Sequence, residues 1–103
     1  MIITVRPESS PGPAVQLDEP DDFKAFKIVR ADGASAVDVA HALPQIGRPD
    51  GDSHVYVSVS AIKRLAGRRA LRHEWLAQLD GMVAYAHSKG WVDELGGLRA
   101  HVE

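Results

Sequence analysis

Histidine and aspartate side chains recur along the second half of this 103-residue chain. His73, Asp80 and His87 are each seven residues apart, so at about 100° per residue they share one face of a helix. Such a line of groups could bind a metal or transfer a proton. However, seven residues rise about 10.5 Å along a helix, whereas the ligands of one metal ion lie about 2 Å from it. A solvated helix face is therefore the preferred interpretation, and we expect no metal site and no cofactor.

Four side chains are candidates for acid–base chemistry if a pocket brings them together. His54 and Tyr56 alternate with valines and would share one face of a strand, while His73 and Asp80 belong to the helical segment. An aromatic ring and a histidine on a half-exposed sheet face are also ordinary surface features. The loop at residues 50–54 offers oxygens and an imidazole to a cation, but it lacks the further acidic positions of a calcium loop. Turn formation explains that loop better.

A second pattern on the same helical segment consists of small residues. They are spaced by four, three and four positions, and they are Ala77, Gly81, Ala84 and Ser88. Small side chains allow another backbone to approach closely, a rule best known from membranes and used here only as geometry. A glycine inside a helix costs about 1 kcal/mol relative to alanine, so a contact at Gly81 would explain its presence. The contact could be with a second subunit or with the shorter helices of the same chain.

Basic residues cluster around residue 67, and they are Lys63, Arg64, Arg68, Arg69 and Arg72. A short helix, a glycine and a longer helix resemble a helix-turn-helix in outline, and basic side chains suit phosphate contacts. The second helix nevertheless carries Trp75 and Leu79 where base-reading polar groups would be needed. Solvated surface, or pairing with acidic residues of the first half of the chain, is the preferred explanation, and a nucleic-acid partner is unlikely on this pattern.

Composition narrows the possible classes of protein. The chain has no cysteine, which excludes disulfide scaffolds, thiolate metal sites and a cysteine nucleophile. The formal charge is −2, and no apolar run is long enough to span a bilayer. The glycine motifs of nucleotide-binding proteins and the nucleophile elbow of hydrolases are missing. We expect one cytoplasmic domain, and the excess of arginine over lysine hints at a GC-rich bacterial genome.

Local patterns predict the elements that would position these groups. Strands are predicted at residues 2–6 and 54–59, with a short terminal strand from residue 98. Residues 21–30 fit a helix or a strand, with helix slightly favoured. Ser35 should cap a helix that Pro44 ends, residues 47–52 should be a loop, and Ser60 should cap a helix over residues 61–66. The longest helix is predicted over residues 70–89, with an apolar face that includes Leu71, Trp75 and Leu79.

These elements predict an α+β fold, in which a small mixed or antiparallel sheet of about three strands packs against three or four helices. The leading functional hypothesis is an accessory or interaction domain that forms a homodimer through the small-residue stripe. The second is a cofactor-independent enzyme or small-molecule-binding protein with a pocket between sheet and helices. The third is a nucleic-acid-binding regulator that uses the basic cluster.

Overall fold

The computed structural model describes residues 1–103 and contains six strands, three α-helices and one 3₁₀ segment. The strands are β1 (Ile2–Val5), β2 (Val15–Asp18), β3 (Lys27–Arg30), β4 (Gly47–Asp50), β5 (His54–Val57) and β6 (Leu98–Val102). The helices are α1 (Ala36–Ile46), α2 (Val59–Ala66) and α3 (His73–Ser88), and the 3₁₀ segment (Gly67–Leu71) joins α2 to α3. None of the helices has the length and apolar character that a membrane span requires.

The six strands form one mixed sheet in the order β2-β1-β3-β6-β5-β4. The central pairs β1–β3 and β3–β6 are parallel, whereas the outer pairs are antiparallel. Along the chain, β1, β2 and β3 form one side of the sheet, and β4 and β5 form the other side. The chain then passes through α2 and α3 to β6, which lies between β3 and β5. Since β6 joins the two sides, the C-terminal strand completes the sheet.

Alternation along the strands gives the sheet a covered face and an uncovered face. All three helices and the covered face contribute to one cluster, whose strand members are Ile3, Val5, Val15, Ile28, Val55, Val57, Leu98 and Ala100, and whose helix members are Val39, Ala42, Ile46, Ile62, Trp75, Leu79 and Ala86. The helices therefore lie on the same side of the sheet. The alternate strand residues, such as Thr4, Tyr56 and Arg99, point to the other side, and none of them is buried.

The expectation of about three strands against three or four helices is wrong, because the sheet has six strands. The strands that the sequence did not reveal are β2 and β4. Residues 27–30 form β3, in agreement with the strand alternative for residues 21–30, within which a helix is favoured only at the start. β4 falls in the predicted loop and contains Pro49, which a strand tolerates at the edge of a sheet, where one side needs no ladder hydrogen bond.

Several helix ends differ from the expectations, whereas the start of α1 and the end of α2 at Ala66 agree with them. At the start of α1, Ser35 and Asp38 form the reciprocal capping box, which confirms Ser35 as the N-cap. Pro44 does not end α1, which continues to Ile46, a side chain only 1% exposed in the core. Ser58, not Ser60, caps α2 by accepting a hydrogen bond from the backbone N–H of Ala61 at 3.1 Å.

The predicted long helix begins later than its sequence pattern suggests. The 3₁₀ segment occupies residues 67–71, and α3 starts at His73. Leu71 is therefore 81% exposed instead of packing with the apolar face, whereas Trp75 and Leu79 are buried as predicted. The change of helical geometry before residue 73 accounts for the difference, because it rotates Leu71 out of line with the later positions.

One glycine is required by a close approach of two backbones. A Cβ atom at Gly47 would lie 1.8 Å from the carbonyl oxygen of Tyr56 on β5. We expect Gly47→Ala to lower the free energy of unfolding by about 2 kcal/mol or more, since the β4–β5 pair must separate to admit a methyl group. Gly81→Ala is the matched control, because no atom lies within 4 Å of its Cβ position. At a concentration low enough to keep the chain monomeric, that change should raise stability by up to about 1 kcal/mol.

Urea denaturation of the two variants beside the original chain measures both effects. A Gly47→Ala variant as stable as the original chain would contradict the pairing of β4 with β5.

Candidate functional site

The structure separates the groups of the His–Asp–His line. His73, Asp80 and His87 are all exposed along α3, as the solvated-face interpretation predicts. No three histidine, aspartate or glutamate side chains of the chain come together closely enough to hold a metal ion. Because His73 and Asp80 lie on exposed positions of the helix, they do not join His54 and Tyr56 on the sheet, and the four acid–base candidates form no common site.

The small-residue stripe also faces solvent. Ala77, Gly81, Ala84 and Ser88 are exposed, so packing against the shorter helices of the same chain does not explain them. Tyr85 is beside the stripe and is 58% exposed. The Ser88 hydroxyl donates to the carbonyl oxygen of Tyr85 at 2.6 Å, a hydrogen bond within the helix. The contact that would account for Gly81 is therefore not within the chain.

Two members of the basic cluster have partners inside the chain. Arg69 forms an ion pair with Asp21, at 3.3 Å from Nε to Oδ1, and Arg64 donates to the backbone oxygen of Gln45. The pairing of Arg69 with an acidic residue of the first half agrees with the preferred sequence interpretation. Lys63, Arg68 and Arg72 are exposed.

The loop after β4 is a turn, as its composition indicates. Gly51 has a φ of 69°, and Asp52 and Ser53 are exposed. The Asp50 carboxylate accepts a hydrogen bond from Arg99 Nε at 2.8 Å, so it is paired with a basic side chain of the sheet. Tyr56 is likewise engaged, since the Arg48 guanidinium lies over its ring at 5.7 Å.

His54 is the acid–base candidate that lies at a cavity. Its antiparallel partner across the β5–β6 ladder is His101, and the two ring centroids are 5.0 Å apart. The cavity has a volume of about 350 Å³. We call it the aromatic cavity; it is lined by Phe23, Lys24, Ala25, Phe26, His54, Met82, Tyr85, Ala86, Trp91, Leu98, Arg99 and His101.

The aromatic cavity lies beside the part of β6 that does not pair with β3. β3 pairs with β6 only at His101 and Val102. The start of β6 is flanked instead by the chain that follows α3, where Val92 bridges to Leu98 and the Arg99 N–H donates to the Trp91 oxygen at 2.8 Å. The cavity lies where these two flanks meet, between α3 and the segment that leads into β3.

The segment before β3 is held in place by several contacts. The Trp75 indole N–H donates to the Pro20 oxygen at 2.9 Å, and the Phe23 ring meets Trp75 edge-on at 5.7 Å. The Met1 amino group donates to the oxygens of Asp22 and Ala25, at 2.6 and 2.9 Å. Burial lowers the pKa of this amino group although Asp22 opposes the change. These contacts hold the segment before β3, which forms one part of the cavity lining, against α3 and the N-terminus.

The turn that follows Trp91 is organised by Asp93. Its carboxylate accepts hydrogen bonds from the N–H groups of Leu95 and Gly97, at 3.0 and 2.7 Å, and pairs with Arg48 at 2.8 Å. Burial, with the side chain only 7% exposed, raises the pKa of Asp93, but the hydrogen bonds and the Arg48 charge outweigh it and leave the pKa below its ordinary value. Asp93 thus orders the turn between Trp91 and β6.

A second cavity of about 330 Å³ lies between α1 and the β4–β5 turn. Val39, Leu43 and Val102 line it together with Arg30 and Asp52, so charges of both signs are present. It contains no phenylalanine, tyrosine or tryptophan. The aromatic cavity is the stronger candidate site, since ligand pockets combine aromatic walls with a few polar groups.

No protein-family model, no curated protein and no solved structure matches this chain. The candidate site therefore depends on its geometry alone.

Sequence reasoning found His54 but missed most of the aromatic cavity. The sequence pattern predicts a terminal strand from residue 98 but gives its residues Arg99 and His101 no role, and it does not indicate that Trp91, which is 43% exposed, lines a cavity. Their alternation with Leu98 and Ala100 does place both polar residues on one face of β6. Only the pairing of β6 with β5 reveals that this face brings His101 beside His54.

The lowered pKa of Asp93 predicts a pH-dependent contribution to stability. An acid whose pKa is lower in the folded than in the unfolded chain stabilises the fold above the unfolded pKa, and this contribution is lost as the pH falls through the folded pKa. We expect Asp93→Asn to melt at a lower temperature than the original chain at pH 7, and the difference to shrink below about pH 4.

Thermal denaturation by circular dichroism from pH 7 to pH 3 measures this difference. Asp52→Asn is the control, since the Asp52 side chain is exposed and forms no ion pair. A constant difference between Asp93→Asn and the original chain across this range would show that the Asp93 charge is not what stabilises the turn.

Proposed function

We propose that this chain binds a small organic molecule in the aromatic cavity. The observation that carries the proposal is the composition of the lining, in which phenylalanine, tyrosine and tryptophan rings adjoin a small group of polar side chains. This combination is typical of sites that bind small molecules, and a volume of about 350 Å³ is at the lower end of their usual range. The ligand is accordingly small, with about one or two rings.

Fixed walls support the same proposal. The contacts of Trp75, Phe23 and Met1 hold the segment before β3, and Asp93 holds the turn beyond Trp91. A preformed site avoids the free-energy cost of ordering its walls when a ligand binds. Acid–base catalysis by the four sequence candidates is not part of this proposal, because only His54 lies at the cavity.

Self-association through α3 is the second candidate function. It is favoured by the exposure of Gly81 and its small neighbours beside Tyr85. If two copies pair their α3 helices antiparallel around Gly81, Ala77 of each copy lies opposite Tyr85 of the other. Nucleic-acid binding and a cytoplasmic location stay predictions from the sequence.

Sedimentation velocity tests self-association. We expect a dimer for the original chain and a monomer for Gly81→Leu, because a leucine at that position holds the helices apart. Arg68→Leu, on the exposed 3₁₀ segment, is the matched control and should stay dimeric. A monomeric original chain, or a dimer unchanged by Gly81→Leu, would contradict the second candidate.

A substitution that fills the aromatic cavity tests the principal proposal. Ala25 is exposed and lines the cavity, so Ala25→Phe should fold and occupy the space. With 2-naphthamide as a neutral probe, we expect calorimetric titration to show binding to the original chain and at least about tenfold weaker binding to Ala25→Phe. Ala40→Phe, which lines the second cavity, should bind like the original chain.

Absence of 2-naphthamide binding to the original chain, or equal affinities for the Ala25→Phe and original chains, would contradict binding in the aromatic cavity.

A further inference from the structure

The lining of the aromatic cavity has basic side chains and no acidic one, although the chain as a whole is negative. The chain carries 12 lysine and arginine residues against 14 aspartate and glutamate residues, a net charge of −2. Among the lining residues, however, there is no acidic side chain, while Lys24, Arg99, His54 and His101 are present. Such a local excess of basic groups, bordered by a low-dielectric wall, favours an anion over a neutral molecule.

The basic groups come from three separate elements. Lys24 is on the segment before β3, His54 on β5, and Arg99 and His101 on β6. Because Arg99 and His101 are two residues apart in one strand, both point to the uncovered face, where His101 meets His54. Three of the four basic groups therefore lie on neighbouring strands of the same sheet face, and Lys24 joins the lining from the segment before β3.

The basic groups at the cavity keep hydrogen-bond donors that nearby carboxylates do not use. Asp50 accepts from only one guanidinium nitrogen of Arg99, whose side chain has five N–H donors. Glu103, near His101, is paired with Lys27 at 2.8 Å. Lys24 takes part in none of the ion pairs of the chain.

The apolar part of the lining suits a flat group. Tyr85 and Trp91 meet edge-on with their centroids 6.0 Å apart, and Phe26 and Met82 also line the cavity. Aromatic rings and a methionine side chain adapt to a planar ring at little conformational cost. A ligand that fits both the apolar and the basic residues has a flat apolar body and one negatively charged end.

We infer that the ligand of the aromatic cavity is an aromatic carboxylate, with its ring against Tyr85 and Trp91 and its carboxylate toward Lys24, Arg99, His54 and His101. This inference rests on the proposed function and adds the chemical class of the ligand. Charge-assisted hydrogen bonds from arginine, lysine and histidine to a carboxylate oxygen orient the ring within the cavity. Neutral aromatic molecules of the same shape bind more weakly because they lack these bonds.

The test compares 2-naphthoate with 2-naphthamide, which has the same ring and a neutral amide in place of the carboxylate. In calorimetric titrations at pH 7, we expect the original chain to bind 2-naphthoate about tenfold more tightly than 2-naphthamide. Lys24→Gln and His101→Gln should each weaken the binding of 2-naphthoate about three- to fivefold and leave that of 2-naphthamide unchanged. Arg68→Gln, which removes an exposed charge outside the cavity, is the control for both probes.

The possible results distinguish the inference from the function beneath it. Two results would overturn the inference of an anionic ligand and leave binding in the cavity intact. One is equal affinities for the two probes, and the other is an affinity for 2-naphthoate that neither Lys24→Gln nor His101→Gln changes. If neither probe binds the original chain, the proposed function fails, and the ligand class fails with it.

Discussion

The buried indole of Trp75 is the contact on which the candidate site depends. Its ring is 2% exposed, packs against Phe23, and donates to the backbone oxygen of Pro20. These contacts join α3 to the segment that leads into β3, two parts of the chain that are distant in sequence. Burying an indole is among the largest single contributions of apolar area in a small domain, and the hydrogen bond satisfies its polar group. The distance between α3 and this segment, and hence the width of the aromatic cavity, follows from Trp75.

The helices cover only one face of the sheet, so the two faces differ in the side chains that they carry. Aliphatic residues of the covered face form the core with the three helices. On the uncovered face, charged side chains pair across the sheet: Arg99 of β6 reaches past β5 to Asp50 of β4, and Lys27 of β3 pairs with Glu103 at the end of β6. The aromatic cavity lies where pairing along β6 is interrupted, so it combines apolar walls from the covered side with basic groups from the uncovered side. This boundary explains why one cavity has both characters.

Elements with a strong local pattern could be predicted from the sequence, and others could not. The alternating valines of β5, the capping box of Ser35 and the apolar face of α3 are local features, and the structure contains all three. β2, β3 and β4 each contain charged residues, and β4 also contains a proline, so their strand conformation depends on pairing with neighbours. The cavity depends on the same tertiary pairing, because His54 and His101 meet only when β5 lies beside β6. Residue types alone therefore indicated His54 but not its partners.

The most direct test of the account is to locate a bound probe by nuclear magnetic resonance. Intermolecular nuclear Overhauser effects from the ring protons of 2-naphthoate report which side chains lie within about 5 Å of it. The account predicts contacts with the Met82 methyl group and the Trp91 indole, which line the aromatic cavity. Contacts with the methyl groups of Val39, Leu43 and Val102 would place the probe in the second cavity and contradict the account.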